Sequence, residues 1–185
     1  IHILTGILAK VSGMTTVEYA NRYLFGPIGA APHRGYEART AEEHKAFILS
    51  RQPKENIWFA DPQGVGTAGY GLCLSARDMV KIGRLCLDGG CCNGKRIVSA
   101  EWIAESTRPR CRCDESFAHM GYGYLWWTPD VGTSAYAALG NSGNVIYVHP
   151  ERNTVVAVTG TFKPAVLDRI PFIQQYVEPL LAARA

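Results

Sequence analysis

Four short runs of strand-forming residues follow one another in the last third of the chain, and they constrain its fold more than any other feature. They are rich in Tyr, Val, Ile and Trp, and short turn-forming segments separate them, which is typical of an antiparallel meander. The runs cover residues 122–128, 135–140, 143–149 and 154–161. Residues 154–158 are nearly all apolar, so we expect both faces of that strand to be covered.

Helices are predicted before and after these strands. Capping boxes at residues 15–18, 40–43 and 75–78 each place a hydroxyl three residues before a carboxylate, and Ser99 predicts one further helix start. An apolar stripe over residues 166–183 predicts a last helix, which Pro179 should kink or end. This order predicts an α+β fold, with an antiparallel sheet and flanking helices.

The same patterns predict two parts of the chain. Residues 1–118 form a mainly helical part with an inserted polar loop and one helix at 31–56, and residues 119–185 form the strands and the C-terminal helix. The chain begins directly in an amphipathic helix, which favours its being a fragment or a processed chain.

Composition excludes several classes of function. The 185 residues include 19 Lys and Arg against 16 Asp and Glu, a net charge of +3 without a basic cluster, so nucleic acid is not an expected partner. No apolar run reaches the roughly 18 residues of a membrane span. The six cysteines lack the usual spacing of a zinc site or a disulfide framework, so free thiols are favoured over either.

Common catalytic motifs are missing from the chain. Gly140-Asn141-Ser142-Gly143 comes close to Gly-x-Ser-x-Gly but lacks its spacing and precedes a strand, whereas a nucleophile elbow lies between strand and helix. No His-Glu-x-x-His is present. The four glycines of residues 64–71 indicate tight backbone approach rather than phosphate binding, because no Gly-Lys-Ser/Thr ends the segment.

Five groups of short stretches, in order along nearly the whole chain, resemble the C-terminal part of the penicillin-recognising serine hydrolases, the superfamily of class C β-lactamases, DD-peptidases and esterases. The groups are residues 3–8 with 11–14; 23–29; 61–64 with 69–72 and 75–79; 94–99 with 101–102; and 122–127. In that family a Ser in Ser-x-x-Lys attacks an acyl carbonyl, and a Tyr in Tyr-x-Asn helps to manage its proton.

The resemblance implies an incomplete β-lactamase- or transpeptidase-like fold that includes part of a helical subdomain. It also implies one wall of a substrate site in this chain. The family's Lys- or His-Ser/Thr-Gly motif maps onto Asn141, Ser142 and Gly143, with the backbone N–H of Asn144 as oxyanion donor and Ser142 as a hydrogen-bonding partner of the substrate. Asn141 brings no positive charge, which disfavours anionic β-lactams. Tyr70 is a further candidate for this wall. An Asn-Ser-Gly turn between strands is the structural alternative.

The resemblance places no catalytic residue in the chain. Ser-x-x-Lys is absent, and the chain begins after the place where the family's Tyr-x-Asn usually stands. Two hypotheses follow: the C-terminal part of a hydrolase acting on an ester or amide, or a non-catalytic binding or scaffold module. The implied partners are a small acyl substrate, the N-terminal part of the same protein and further copies of the chain, with no cofactor or metal.

Overall fold

The computed structural model describes residues 1–50, 56–129, 132–140, 143–160 and 169–182. It divides the chain into two compact units, Ile1–Asp78 and Met79–Ala185. The sequence boundary at residues 118 and 119 separates helices from strands rather than compact units, so it stays a prediction. Within the described ranges, no helix is both long enough and apolar enough to cross a membrane.

The first unit contains short helices and one pair of strands. Its elements are α1 (His2–Ser12), α2 (Thr16–Ala20), a π-helical turn (Asn21–Phe25), β1 (Arg34–Glu37), α3 (Ala41–Leu49) and β2 (Ile57–Ala60). Strands β1 and β2 pair in parallel. The segment at 31–56, interpreted from sequence as a polar loop with one helix, therefore also contributes a strand.

The capping predictions hold in this unit, with one difference in a hydrogen bond. Thr15 Oγ1 accepts from the N–H of Glu18 at 3.2 Å, and Glu18 Oε2 accepts from the N–H of Thr15 at 2.8 Å. Thr40 likewise accepts from the N–H of Glu43. The Glu43 carboxylate, however, accepts from the N–H of Arg39 at 2.7 Å, so it reaches one residue further back than in a capping box.

A buried histidine joins three segments of the first unit. His33 is 5% exposed, and its ring nitrogens lie 3.0 Å from the carbonyl oxygens of Ala31 and Cys73. The side-chain amide of Asn21 bonds both the N–H and the carbonyl of His33 at 2.8 Å. The ring also packs on Phe25, with centroids 4.5 Å apart. Hydrogen bonds to the backbone therefore hold the middle of this unit.

The rest of the chain contains a six-stranded sheet and its flanking helices. The helices are α4 (Ala76–Leu87), α5 (Ala100–Thr107) and the C-terminal segment of α6 (Ile170–Phe172), a π-helical turn (Ile173–Val177) and α7 (Glu178–Ala182). The strands are β3 (Cys91–Cys92), β4 (Lys95–Arg96), β5 (Cys111–Arg112), β6 (Gly121–Tyr122), β7 (Trp127–Thr128), β8 (Tyr136–Gly140), β9 (Asn144–His149) and β10 (Thr154–Val158).

The sheet is an antiparallel meander in the order β10-β9-β8-β7-β6-β5, which confirms the α+β prediction. The prediction of a single strand over residues 122–128 is wrong. Gly123 donates its N–H to the Trp126 carbonyl at 2.8 Å, and Leu125 has φ +68°, so a tight turn separates β6 from β7. A Cβ at Gly123 would lie 2.4 Å from the Ser106 carbonyl oxygen, a constraint that periodicity does not reveal.

The two faces of the sheet pack on different helices. On one face Val145 and Tyr147 form a buried cluster with Ile170 and Ile173, against which Val156 and Val158 also pack. On the other face α4 approaches so closely that a Cβ at Gly83 would lie 2.5 Å from Val155 Cγ1. Because side chains alternate along β9 and β10, they pack on the C-terminal helical segment at one face of the sheet and on α4 at the other. All residues of β10 are half-buried.

The C-terminal helical segment continues past Pro179 to Ala182, so Pro179 does not end it, and the predicted alternative of a kink stays a prediction. The π-helical turn immediately before α7 offers the reason. Proline clashes with the backbone of the preceding turn of a regular α-helix and lacks an N–H, and a widened turn relieves that clash. Pro171 stands in the first turn of α6, as the sequence predicts.

Candidate functional site

The predicted substrate wall lies at the hairpin between β8 and β9. The strands pair from Tyr136 with Val148 to Gly140 with Asn144, which leaves a connection of residues 141–143. Asn141 and Ser142 lie outside the described residues. Gly143 has φ +73°, the left-handed conformation that ends a three-residue hairpin loop. The local sequence thus explains the hairpin, and the substrate-binding roles of Asn141, Ser142, Gly143 and Asn144 stay predictions.

An arginine packs against the end of this loop. A Cβ on Gly143 would lie 2.8 Å from Nε and 3.0 Å from Cγ of Arg169, so only glycine lets the side chain approach this closely. Arg169 is the N-cap residue of α6 and is half-buried. Its guanidinium is always charged and presents donors in a rigid fork. Sequence reasoning missed Arg169, because only the folded chain brings it beside Gly143.

The side chain of Asn144 connects the hairpin to the segment after β10. Its Oδ1 accepts from the N–H of Gly160 at 2.9 Å. The side-chain amide of Asn144 therefore supports the loop. Only the backbone N–H of Asn144 is predicted to contact a substrate. Together, Gly143, Asn144, Gly160 and Arg169 form a compact group at one end of the β9 strand, which we call the hairpin group.

Tyr70 is held by a well-ordered loop of the first unit. The N–H of Thr67 donates to the Phe59 carbonyl and the N–H of Phe59 donates to the Gly71 carbonyl, both at 2.9 Å. Gly71 has φ +84°, and a Cβ there would lie 2.4 Å from Phe59 Cβ. Tyr70 itself is 45% exposed and contacts the rings of His2, His44 and Phe59. The loop thus presents one face of Tyr70 to solvent.

The letters Tyr-x-Asn occur in the chain at a place where the family does not carry its motif. Tyr19-Ala20-Asn21 matches them, but it lies on α2 and the π-helical turn rather than ahead of α1. Both functional groups of the Asn21 amide are bonded to the backbone of His33. This asparagine therefore has a structural role, and it does not supply the family's catalytic motif.

Cys86 and Cys113 have thiols whose pKa is raised, which makes them less reactive. Burial on α4 raises the pKa of the Cys86 thiol to about 11. The pKa of Cys113 is raised too, first by burial and then by the charges of Cys111 and Asp114. A raised pKa lowers the thiolate fraction near neutral pH. Among the described residues, no group of three or more potential ligands could hold a metal ion.

Comparison with known proteins identifies relatives of this arrangement. The chain is 26% identical over 161 residues to the 6-aminohexanoate-dimer hydrolase of Paenarthrobacter ureafaciens, across 83% of this chain and 36% of that protein. An octameric penicillin-binding protein homologue from Pyrococcus abyssi superimposes with a TM-score of 0.61 and 24% identity, covering 97% of this chain and 40% of that one. The chain is a partial match to the β-lactamase-related and penicillin-binding-protein family.

Other comparisons agree on the family fold. A penicillin-binding protein homologue from Caulobacter crescentus has a TM-score of 0.51 and 15% identity over 86% of this chain and 50% of its own. At such identities the solved structures show the β-lactamase-related fold alone. No protein-family model matches the chain. The chain spans between about a third and a half of the length of these relatives, so it is related to β-lactamase-fold serine hydrolases and covers only part of them.

Proposed function

We propose that the chain is the C-terminal part of a serine hydrolase that cleaves an ester or amide through an acyl-enzyme, and that this part contributes a substrate wall without the nucleophile. The similarity to the Paenarthrobacter hydrolase over most of this chain carries the proposal. The missing Ser-x-x-Lys accounts for the lack of a nucleophile, because covalent catalysis requires that serine and its base.

Asn144 and Ser142, at the hairpin, have different proposed roles in binding the substrate. The backbone N–H of Asn144 donates to the oxygen on which negative charge develops as the acyl carbonyl is attacked. Ser142 donates a hydrogen bond to a neighbouring polar group of the substrate or accepts one from it. The nucleophile and the groups that move its proton come from the part of the hydrolase that this chain does not include.

Charge at the hairpin supports a wider range of substrates than the loop sequence alone suggests. Asn141 is uncharged where β-lactamases carry Lys or His. Arg169, however, lies against Gly143 and brings a positive charge to the same turn from a different element. Ester, peptide and β-lactam substrates are therefore all candidates.

The experiment compares the 185-residue chain with the protein encoded when the reading frame is extended upstream of Ile1. A serine-directed fluorophosphonate, 4-nitrophenyl acetate and a chromogenic cephalosporin are the probes. We expect label and turnover only in the extended protein, with the label on the serine of a Ser-x-x-Lys. An extended protein that contains this motif but shows neither label nor turnover would contradict the proposal.

The alternative is a non-catalytic binding or scaffold module. The absence of Ser-x-x-Lys from this chain favours it. An upstream reading frame without Ser-x-x-Lys would establish this alternative and overturn the first proposal. An in-frame Ser-x-x-Lys that becomes labelled would eliminate it.

We also propose that the chain associates with itself or with the rest of a complete hydrolase. Helix α1 exposes a row of large aliphatic side chains, with Ile3 77%, Leu4 61% and Val11 76% exposed. Large apolar patches of this kind mark interfaces. The related Pyrococcus protein is octameric, which supports self-association.

Light scattering tests this association. We expect dimers or larger species, and the double variant Ile3→Glu/Val11→Glu should shift them toward monomer. Lys10→Glu, a change of charge on the same helix, is the matched control. A monodisperse monomer of the unaltered chain would refute self-association.

A further inference from the structure

A buried polar cluster connects the C-terminal helical segment to β9 at the end away from the hairpin. The Tyr147 hydroxyl donates to Glu178 Oε1 at 2.7 Å, and Arg152 lies 3.3 Å from Oε2. His149 Nε2 is 3.9 Å from the same carboxylate. Tyr147, His149 and Glu178 are 1%, 5% and 7% exposed, so the hydrogen bond between Tyr147 and Glu178 is shielded from water, whereas the Arg152 side chain is 50% exposed.

This cluster is more directional than the apolar packing around it. A buried carboxylate is costly unless it is hydrogen-bonded or paired, so Glu178 is confined to the position where Tyr147 and Arg152 meet it. Ile170 and Ile173 are buried in the same interface, where apolar contacts contribute stability without a preferred direction. The hydrogen bond of Glu178 adds a contact with one specific partner to this packing.

The two contacts follow the same order along both elements. Tyr147 follows Gly143 by four residues, which is about 13 Å of strand at roughly 3.3 Å per residue. Glu178 follows Arg169 by nine residues, five of which form the π-helical turn. The helical segment thus runs alongside β9 in the same direction, with one contact at each end.

We propose that Glu178 is a positioning residue: through its hydrogen bond with Tyr147 it holds the C-terminal helical segment in the register that lays the Arg169 side chain against Gly143. The assignment of this turn to a substrate wall rests on the proposed function, whereas the mechanical link does not. The position of the Arg169 charge at the hairpin then depends on the hydroxyl of Tyr147. This residue lies about 13 Å from Gly143 along the strand and touches no substrate.

The test observes the far end of the segment in the whole 185-residue chain. The NMR cross-relaxation peak between Gly143 Hα and Arg169 Hγ reports their contact and needs no catalysis. Tyr147→Phe removes one oxygen and keeps the ring, and we expect the peak to weaken several-fold. Glu178→Leu should weaken it too, while Glu178→Gln, which keeps an acceptor for the hydroxyl, should restore most of it.

Tyr136→Phe is the matched control. Tyr136 is also buried, at 5% exposure, but it lies on the opposite face of the sheet, so the peak should keep its intensity. If Tyr147→Phe folds and leaves the peak unchanged, Glu178 has a merely local structural role and the inference is wrong. A weakened peak in a protein whose extended form lacks hydrolase activity would uphold the inference and reject the proposed function.

Discussion

Apolar side chains build the centre of the second unit, whereas hydrogen bonds from polar side chains to the backbone hold much of the first. In the second unit Val145, Tyr147 and Ile173, each no more than 1% exposed, interlock between sheet and helix. In the first unit His33 and Asn21 bond to main-chain groups of distant segments. Apolar interiors follow from periodic sequence, but polar connections require particular partners, so the two units should respond differently to substitution.

The largest effect is expected in the apolar interior. Ile173→Ala removes a side chain that is 0% exposed and should lower the free energy of unfolding by about 4 kcal/mol, since the cavity cannot collapse fully. Urea unfolding of the chain measures it. Phe172→Ala, at a neighbouring residue that is 52% exposed, is the control and should cost far less. Equal losses would contradict the packing described for this unit.

The first unit should depend more on its hydrogen bonds than on the volume of its rings. His33→Phe keeps a ring beside Phe25 but removes the ring N–H, so the carbonyl of Ala31 or of Cys73 loses its donor, and we expect the free energy of unfolding to fall by about 3 kcal/mol. Hydrogen exchange within residues 1–50 measures it.

A second histidine gives the matched control. His44 also packs on a phenylalanine, but its Nε2 is buried with no hydrogen-bond partner in the described part of the chain. His44→Phe should therefore be neutral or slightly stabilising. If both histidine variants lose the same stability, ring packing rather than hydrogen bonding holds this unit.

A pH effect should arise in the second unit. The pKa of Cys86 is raised to about 11 by burial, above the value of roughly 8.5 for an unfolded thiol. Between those values the unfolded chain loses a proton that the folded chain keeps, so stability falls as pH rises, by about 2 kcal/mol from pH 8 to 10.5.

Urea unfolding at both pH values, repeated for Cys86→Ala, measures this contribution. The variant should lose about 2 kcal/mol less than the unaltered chain over the same interval. Cys111→Ala, at an exposed thiol, is the control and should leave the pH dependence as it is. A Cys86→Ala protein with an unchanged pH dependence would reject the assignment.

The smallest effects are expected at helix caps, where the two units are alike. Thr15 in the first unit and Ser99 in the second each accept a hydrogen bond from an N–H three residues later. Replacing either by Ala should cost about 1 kcal/mol by thermal or urea unfolding. Thr15→Ser keeps the acceptor and should retain most of that stability, and an equal loss in Thr15→Ser would argue against capping as the cause.

Local and periodic features of the sequence predicted most of the second unit. The strands β8, β9 and β10, the start of α4 and the cap at Ser99 follow from patterns within about ten residues. The split between β6 and β7 escaped prediction because it depends on the approach of Gly123 to Ser106, which no periodicity records.

Contacts between distant residues account for what could not be predicted. The parallel pairing of β1 with β2, the role of His33 and the place of Arg169 each join segments far apart in the chain. The candidate wall was found through its resemblance to known motifs, and its charged member was not, because an isolated arginine before a helix has no signature in the sequence.

The π-helical turns have a consequence for the evolution of the chain's length. Such a turn contains a residue more than the regular winding it interrupts, and the chain has one at Asn21–Phe25 and another at Ile173–Val177. Deleting a single amino acid there would restore ordinary α-helix while neighbouring turns kept their orientation. Where homologous chains are one residue shorter, the gap is therefore expected to fall within one of these two π-helical turns.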